Sequence, residues 1–193
     1  MHCSNMKRSF LAGAALLAAT ATQAADVRPF VKAGADIGGD KLVTVTFTNG
    51  ERESVRANEG FYAGGGVSIR NEAKTLESEL SIAYKLSGIT ASNGDIDWTM
   101  MPVEALLFYR LPQWRLGGGL AYHMNPRLKG SGVVGGLDVK FDDALGLVLQ
   151  ADYLIGQSMA VGARYTSMKY EEKGGTGISA KSGGIGATFS YRF

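Results

Sequence analysis

The chain has 193 residues, of which 27 are glycine, and its 20 basic and 18 acidic residues give a formal net charge of +2. This length fits one domain, and the small charge excess gives no reason to expect a nucleic-acid partner. After the N-terminal segment no stretch approaches 18 apolar residues, which excludes a helical membrane protein and leaves a soluble β-fold or a membrane β-barrel. The glycines show no collagen-type repeat and are typical of strongly curved strands.

The N-terminus has the three parts of a secretory signal peptide. Lys7 and Arg8 form a basic region, residues 10–19 form an apolar region, and Thr22-Gln23-Ala24 is a small-residue site for cleavage before Ala25. The apolar region is too short to span a bilayer. We therefore predict a cleaved signal and an exported protein.

Cleavage would divide the chain into a signal peptide at residues 1–24 and a mature domain at residues 25–193, with translation starting at Met1 or Met6. Loss of two basic residues lowers the 20 basic residues to 18, equal to the 18 acidic ones. The single cysteine, Cys3, is removed as well. The mature domain then contains no disulfide and no thiolate metal site.

The mature sequence alternates apolar and polar residues over eight segments, as β-strands with one apolar face do. In chain order the predicted strands are residues 28–37, 61–70, 76–87, 96–111, 115–125, 145–153, 159–171 and 181–193. Trp98 falls on the inward side of the fourth strand, so either it caps the interior or a β-bulge shifts the register there.

The connections between these strands alternate in length, which predicts antiparallel neighbours. Short turns are expected at 71–75, 112–114 and 156–158, and long loops at 38–60, 88–95, 126–142 and 172–180. The first long loop contains VTVTFT, Asn49-Gly50 and ERESV, a pattern that predicts a β-hairpin with a type I′ turn.

Aromatic residues collect at both ends of the predicted strands, as they do at the two interfaces of a membrane. The short-turn end has Tyr109, Trp114, Tyr153, Tyr191 and Phe193, and the long-loop end has Phe61, Tyr84, Tyr122 and Tyr165. The sequence thus predicts an all-β fold, an eight-stranded antiparallel up-and-down transmembrane β-barrel.

The last segment, KSGGIGATFSYRF, places Phe189, Tyr191 and Phe193 on one face. It resembles the sorting signal of Gram-negative outer-membrane barrels, which the barrel assembly machinery reads. With GFYAGGGVSIR and the hairpin PVEALLFYRL to RLGGGLAYH, the chain is similar to the small outer-membrane β-barrel family of opacity proteins and the barrel domains of outer-membrane proteins A and X. The resemblance implies an outer-membrane location, in contact with lipid and lipopolysaccharide.

Motifs for catalysis, cofactors and metals are weak. Residues 130–135 match G-x-G-x-x-G, but a strand pattern follows where a dinucleotide site needs a helix, so no cofactor is expected. Asp138, Asp142 and Asp143 are interpreted as a solvated acidic loop and not as a calcium site. His123, the only histidine after the signal peptide, has no serine beside it in HMNP, so no catalytic residue is assigned.

The inward positions carry charges of both signs, which argues against a soluble barrel with an apolar cup. They are Lys32, Asp36, Glu77, Glu79, Lys85, Glu104, Arg110, Asp152, Arg164 and Arg192, with Arg28 and Gln150 also inward. We expect these side chains to pair and fill the lumen, since an eight-stranded barrel has room for little else.

The expected function is therefore that of a non-enzymatic surface barrel. Its loops, chiefly 38–60 and 126–142, would contact an unknown partner or stiffen the envelope. Two alternatives are a narrow channel for ions or small hydrophobic molecules and, less favoured, a lipid A-modifying enzyme like the palmitoyltransferase and deacylase barrels. The sequence identifies no binding residues.

Overall fold

The computed structural model of the protein describes residues 26–46, 52–91, 93–174 and 179–193. Within these ranges no helix has the length and apolar character needed to cross a membrane. The predicted signal peptide and the Asn49-Gly50 turn lie outside the described residues. The signal peptide and the domain boundary after residue 24 stay predictions.

The described residues form thirteen strands and a 3-10 turn at Gly132–Val134. The strands are β1 (Asp26–Gly38), β2 (Lys41–Thr46), β3 (Arg52–Arg56), β4 (Gly60–Arg70), β5 (Leu76–Ala91), β6 (Gly94–Arg110), β7 (Trp114–Gly130), β8 (Asp138–Lys140), β9 (Ala144–Ile155), β10 (Met159–Ser167), β11 (Lys169–Glu171), β12 (Ser179–Lys181) and β13 (Gly184–Arg192).

Eight of these described strands close into one antiparallel barrel, in the order β1, β4, β5, β6, β7, β9, β10, β13 and back to β1. Each strand pairs with its neighbours along the chain, so the predicted up-and-down barrel is confirmed. The predicted hairpin in the first long loop is also present, as β2 paired with β3. β11 and β12 form a second outer hairpin, and β8 extends the sheet beside β7.

The stagger of the strands can be followed by stepping around the barrel from partner to partner. The circuit runs Val27, Ile69, Ser78, Leu107, Gly118, Leu149, Tyr165, Ile185, Ile37. It returns to β1 ten residues beyond its start, since 37 − 27 = 10. Eight strands with that stagger are tilted by roughly 40°, so each residue advances about 2.5 Å along the axis.

The outer surface of the barrel is an apolar band between two aromatic rings. On β1 the band extends from Val27 to Ile37, both exposed, and ten residues correspond to about 25 Å, the height of the lipid-facing band in membrane barrels. Tyr109, Trp114, Tyr153, Tyr191 and Phe193 are exposed at the short-turn end, and Phe61, Tyr84 and Tyr165 at the long-loop end. The two predicted girdles are thereby confirmed, apart from Tyr122, which is half-buried and hydrogen-bonded to Asp143.

Glycines permit the tight curvature of the barrel wall. A Cβ added at Gly66 would clash with the carbonyl oxygen of Leu80, and one at Gly119 would clash with that of Ala105. At these positions neighbouring backbones approach closely enough to exclude any side chain, which explains the glycine runs inside the strand patterns.

The predicted bounds of two long loops are wrong, because the strands continue into them. β5 extends to Ala91 and β6 begins at Gly94, where residues 88–95 were expected to form a loop. β7 likewise extends to Gly130 and pairs with β8, inside the expected loop 126–142. The apolar face changes sides there: Leu86 on β5 points outward, whereas Ile89 is buried inside. When the apolar residues move from one face of a strand to the other, the alternation in the sequence is interrupted. That interruption looks the same as the end of the strand when only the sequence is read.

The strand predicted at residues 159–171 is divided into β10 and β11. Trp98 points into the barrel and is fully buried, as its parity predicted. The bulge lies instead on β7, where the pairing with β6 shifts beside Asn125, which has φ 51°. This extra residue moves the inward face of β7 from His123 to Leu128.

A lipid-facing position at mid-height should not tolerate a charge. Leu80, which is exposed, lies midway between Leu76 at the short-turn end and Tyr84 of the long-loop ring. We expect Leu80→Arg to lower the free energy of unfolding in phosphatidylcholine vesicles by about 2–4 kcal/mol, because the guanidinium would enter the hydrocarbon region.

Two control substitutions show whether the depth of the residue in the bilayer causes the loss of stability. Leu147→Arg should cost less, because Leu147 lies two residues from Leu145, the partner of Tyr122 near the long-loop end. Val133→Arg, in an exposed turn, should change stability by less than about 0.5 kcal/mol. Equal losses at all three positions in urea titrations would contradict the assignment of the lipid-facing band.

Candidate functional site

The barrel interior is filled by three sets of side chains stacked along the axis. We call them the Glu77 layer at the short-turn end, the Glu104 layer in the middle and the aromatic layer at the long-loop mouth. The Glu77 layer comprises Arg70, Glu77, Glu79, Arg110, Arg115, Asp152 and Arg192; the Glu104 layer comprises Lys32, Asp36, Tyr62, Lys85, Glu104 and Arg164; and the aromatic layer comprises Trp98, Met100, His123, Phe141 and Tyr170.

Glu77 is the centre of the first layer and is fully buried. Its Oε1 accepts hydrogen bonds from Arg115 Nη1 at 2.8 Å and Arg192 Nε at 2.9 Å, and its Oε2 from Arg70 Nε at 3.1 Å and from Arg110 Nη1. Ion pairs thus join Glu77 to four arginines among the described residues. They come from β4, β6, β7 and β13, so this carboxylate connects β5 to four other strands of the barrel.

Two further carboxylates complete the Glu77 layer. Glu79 accepts from Arg192 Nη2 at 2.7 Å and from Arg115 Nη1, and Asp152 accepts from Arg115 Nε at 2.7 Å. The guanidinium carbon of Arg115 lies 4.1 Å from the centre of the Phe108 ring. Buried guanidinium groups tolerate such a position because hydrogen bonds and ring faces replace their hydration.

The Glu104 layer repeats this arrangement above the first. Glu104 accepts from Lys32 Nζ and from Arg164 Nη2, both at 2.5 Å. Lys85 Nζ donates to Asp36 Oδ2 at 2.6 Å and to the carbonyl oxygen of Asn58 at 2.7 Å. The second bond fastens the segment after β3 to the interior of the barrel.

The predicted inward charges are confirmed as lumenal, but the predicted set is incomplete. All ten lie in the two ionic layers; Arg110 is partly exposed at its side chain, and Arg28 lies at the rim, where it pairs with Asp26. Arg115 was missed, and Arg70, which alternates with the outward apolar residues of the second predicted strand, was left out of the inward charges. The alternation of β7 contained the signal for Arg115, since the next residue, Leu116, faces outward and is exposed. With these two arginines the ionic layers contain seven basic and five acidic residues among those described.

Above the ionic layers the interior is apolar, which sequence reasoning did not predict. The Trp98 ring meets the rings of Phe141 and Tyr170 edge to face, at centroid distances of 5.4 and 5.6 Å. Val55 and Ala57, from the end of the β2–β3 hairpin, are buried in the same cluster, and Trp98 Nε1 donates to the Ala57 carbonyl at 3.2 Å. The hairpin therefore covers the mouth of the barrel.

His123 points inward, as predicted, and is almost completely buried. Its Nδ1 lies 2.6 Å from Tyr170 Oη, which also contacts Met100 Sδ at 3.4 Å. The imidazole thus has a phenol as its hydrogen-bond partner inside an apolar cluster. Tyr170 lies 47 residues away along the chain, so no local motif indicates this contact.

The charged side chains of the outer loops form hydrogen bonds with neighbouring loop residues. Arg127 donates to both carboxylate oxygens of Asp138, at 2.7 and 2.6 Å, and this hydrogen-bonded guanidinium lowers the pKa of Asp138. Asp143 accepts from the backbone N–H of Asn125 at 2.8 Å. Among the described residues no three His, Cys, Asp or Glu side chains lie together as metal ligands.

The glycine-rich segment 130–135 is a tight turn without a following helix. It folds over the end of the β5–β6 hairpin: Ser131 N donates to the Asp95 carbonyl at 2.8 Å and Val133 N to that of Asn93 at 3.0 Å. These backbone donors are used inside the loop structure, in contrast to a phosphate-binding turn, whose N–H groups point at the ligand.

The closed barrel and the apolar band agree with a match of the sequence to a known protein family. The sequence profile of the outer membrane protein beta-barrel domain matches residues 11–193. The chain belongs to this family. It is accordingly a β-barrel protein of the bacterial outer membrane, with its short turns toward the periplasm and its long-loop mouth toward the outside. No curated protein matches the chain significantly.

Solved structures of small outer-membrane barrels are similar in fold. Neisserial surface protein A is 13% identical, with a TM-score of 0.52, and covers 89% of this chain and 100% of its own. Ail, the attachment invasion locus protein of Yersinia pestis, solved with the heparin analogue sucrose octasulfate, has 13% identity, a TM-score of 0.53 and the same coverage. OprH of P. aeruginosa has 14% identity, a TM-score of 0.51 and coverage of 86% and 99%. At these identities the similarity shows the fold alone.

Removal of the Glu77 carboxylate should destabilise the barrel strongly. We expect Glu77→Ala to lower the free energy of unfolding by about 3–5 kcal/mol, because its arginines would remain buried without their shared partner. The exposed Glu171, paired with Lys169, provides the control, and Glu171→Ala should cost less than about 1 kcal/mol. Urea unfolding in micelles, followed by tryptophan fluorescence, measures both; equal costs would contradict the central role of Glu77.

Proposed function

We propose that the protein is a sealed, non-enzymatic barrel that anchors hairpins at the outer surface, where they stiffen the envelope or contact a partner. The observation that carries this proposal is the filling of the lumen by two ionic layers and an aromatic layer. A barrel filled in this way has no room for a substrate or for a continuous water path. The surface left for contact with a partner is then the outside of the barrel mouth.

The ionic layers argue against the alternative of a channel. An ion crossing the barrel would have to part pairs such as Lys32 with Glu104 and Arg115 with Asp152, which are almost completely buried. Leaving one such charge without its partner costs about 3–5 kcal/mol, so an open state would be populated well below one percent of the time.

The surroundings of His123 argue against the alternative of an enzyme. A serine-type mechanism needs a nucleophile within hydrogen-bond reach of the histidine and an acid that orients the ring. In the described part of the chain the imidazole is hydrogen-bonded to the Tyr170 hydroxyl, beneath the covering hairpin. We therefore propose that His123 is a packing residue of the aromatic layer.

The outer hairpins are the parts best placed for contact. β5, β6 and β7 continue beyond the long-loop end of β4. The segment that leads from β1 into the β2–β3 hairpin is hydrogen-bonded to the segment that leads into β13: Gly39 N donates to Gly183 O at 2.7 Å, and Asp40 N donates to Lys181 O, in β12, at 2.8 Å. Rigid attachment favours recognition because little order is lost on binding. Ail, a barrel of similar fold, was solved with a heparin analogue, which supports partner contact as a use of such a surface.

Assembly into the membrane would depend on the last strand. We propose that the barrel assembly machinery recognises β13 and Phe193, as in other barrels with an aromatic terminal residue. In support, the Phe193 ring is exposed and packs edge to face on Tyr191, with ring centres 5.2 Å apart.

Planar-bilayer recordings test the seal. The mature protein should show no steady conductance, and Glu104→Ala should lower the unfolding midpoint rather than produce regular conductance steps, because Lys32 and Arg164 would lose their shared partner. Stable ion-selective steps in the unmodified protein would overturn the sealed barrel and favour the channel.

A loop-shortened strain tests the surface role. Replacing residues 42–55 by a two-residue turn should leave the barrel in the outer membrane and reduce binding of cells to host surfaces, or increase their sensitivity to detergent, relative to the parent strain. A shorter deletion within the 131–137 turn serves as the control. An unchanged phenotype for both strains, with normal surface exposure of the barrel, would contradict a contact or stiffening role for the hairpin.

A further inference from the structure

A groove of about 690 Å³ lies outside the barrel, where the β2–β3 hairpin meets the ends of β1 and β13. Its upper wall carries Lys41, Arg52 and Arg56, and its lower wall carries Ile37 and Ile185. Glu59 is the acidic residue among the described lining residues. The groove is thus basic on one side and apolar on the other.

The hairpin is amphipathic, which explains why the basic residues point outward. On β3 the inward Val55 is buried in the aromatic layer, whereas Arg52, Ser54 and Arg56 alternate with it on the opposite face. Leu42, Val43 and Val45 of β2 pack on the same lumenal cluster. Because the apolar face covers the lumen, the basic face is held over the outer wall of the barrel.

The groove lies at the level of the membrane surface. Ile37 and Ile185 are register partners, each 61% exposed, and are the last apolar pair of the lipid-facing band on these two strands. Ile185 also pairs with Tyr165, a member of the outer aromatic ring. Aromatic rings of this kind lie at headgroup depth. The isoleucines therefore lie at the upper edge of the lipid-facing band, where acyl chains meet headgroups, and the basic residues just above them face lipid headgroups.

The three basic side chains of the groove form no ion pair with another described residue. None of the ion pairs between described residues involves Lys41, Arg52 or Arg56. Arg56 is positioned by donating Nη1 to the Gly39 carbonyl at 3.2 Å, and its side chain is exposed. Two arginines and a lysine above an apolar floor match a phosphate carried by an acyl chain, since guanidinium groups bind phosphate oxygens in pairs.

We propose that this groove binds the phosphorylated headgroup of an outer-leaflet lipid, with the phosphate on Arg52, Arg56 and Lys41 and an acyl chain on Ile37 and Ile185. The inference deepens the envelope-contact function proposed above and rests on it, because it assigns a lipid phosphate as the contact made by the hairpin. A free phosphate ion would not use the apolar floor. The occupant is therefore the lipid.

The test is calorimetric titration of the mature protein, in uncharged maltoside micelles, with bisphosphorylated lipid A. The triple variant Lys41→Gln, Arg52→Gln, Arg56→Gln should bind about 100-fold more weakly, and Arg52→Gln alone about five-fold, as expected for basic groups at a lipid surface. The control Lys129→Gln, Lys140→Gln, Lys173→Gln removes the same charge from exposed positions of the outer loops. Its affinity should stay within about three-fold of the parent.

Two further titrations distinguish the source of the phosphate. Dephosphorylated lipid A should bind weakly and equally to all variants, and millimolar inorganic phosphate should not displace lipid A. The proposal is overturned if the groove variant retains parental affinity, if the control loses as much, or if inorganic phosphate competes fully. Circular dichroism and heat-dependent gel mobility confirm that each variant is folded. Because purified protein is used, failure here leaves the hairpin's role in cell contact to be judged by the loop-shortened strain.

Discussion

The interior of an eight-stranded barrel is only wide enough for side chains, and every second residue of each strand points into it. Any charge placed there loses its hydration and must find a partner across the lumen. Glu77 meets this requirement with arginines from four other strands. Two of these arginines also hold the other carboxylates of the Glu77 layer, because Arg115 and Arg192 both donate to Glu79 and Arg115 donates to Asp152.

Along the barrel axis the same strands change which of their two faces is apolar. Within the lipid band β6 turns Val103 and Leu107 outward and Glu104 inward, whereas above the band it turns Trp98 inward and Asp97 outward. The reason is the change of surroundings: lipid favours an apolar outer face, and water favours an apolar core. The outer part of the molecule is therefore built like a small soluble β-domain, on top of a membrane barrel.

This division explains how closure of the barrel and presentation of a surface are combined. The aromatic layer needs a cover, and the β2–β3 hairpin supplies it with Val55 and Ala57. Covering the lumen in turn directs the basic face of the hairpin toward the membrane surface. The hairpin therefore packs inside the mouth with one face and carries charge outside it with the other. Its lower end is held by the ionic layers, because Lys85 donates to the carbonyl oxygen of Asn58.

The sequence alone determined the number and order of the barrel strands, the face that each turns to lipid, the aromatic girdles and most lumenal charges. These follow from alternation and turn spacing, which are local properties of the chain. It did not determine which charges meet. Glu77 and Arg192 are 115 residues apart, and His123 and Tyr170 are 47 apart. Such contacts depend on the ten-residue stagger, on the bulge at Asn125 and on the height at which lipid gives way to water, all of which only the closed tertiary structure decides.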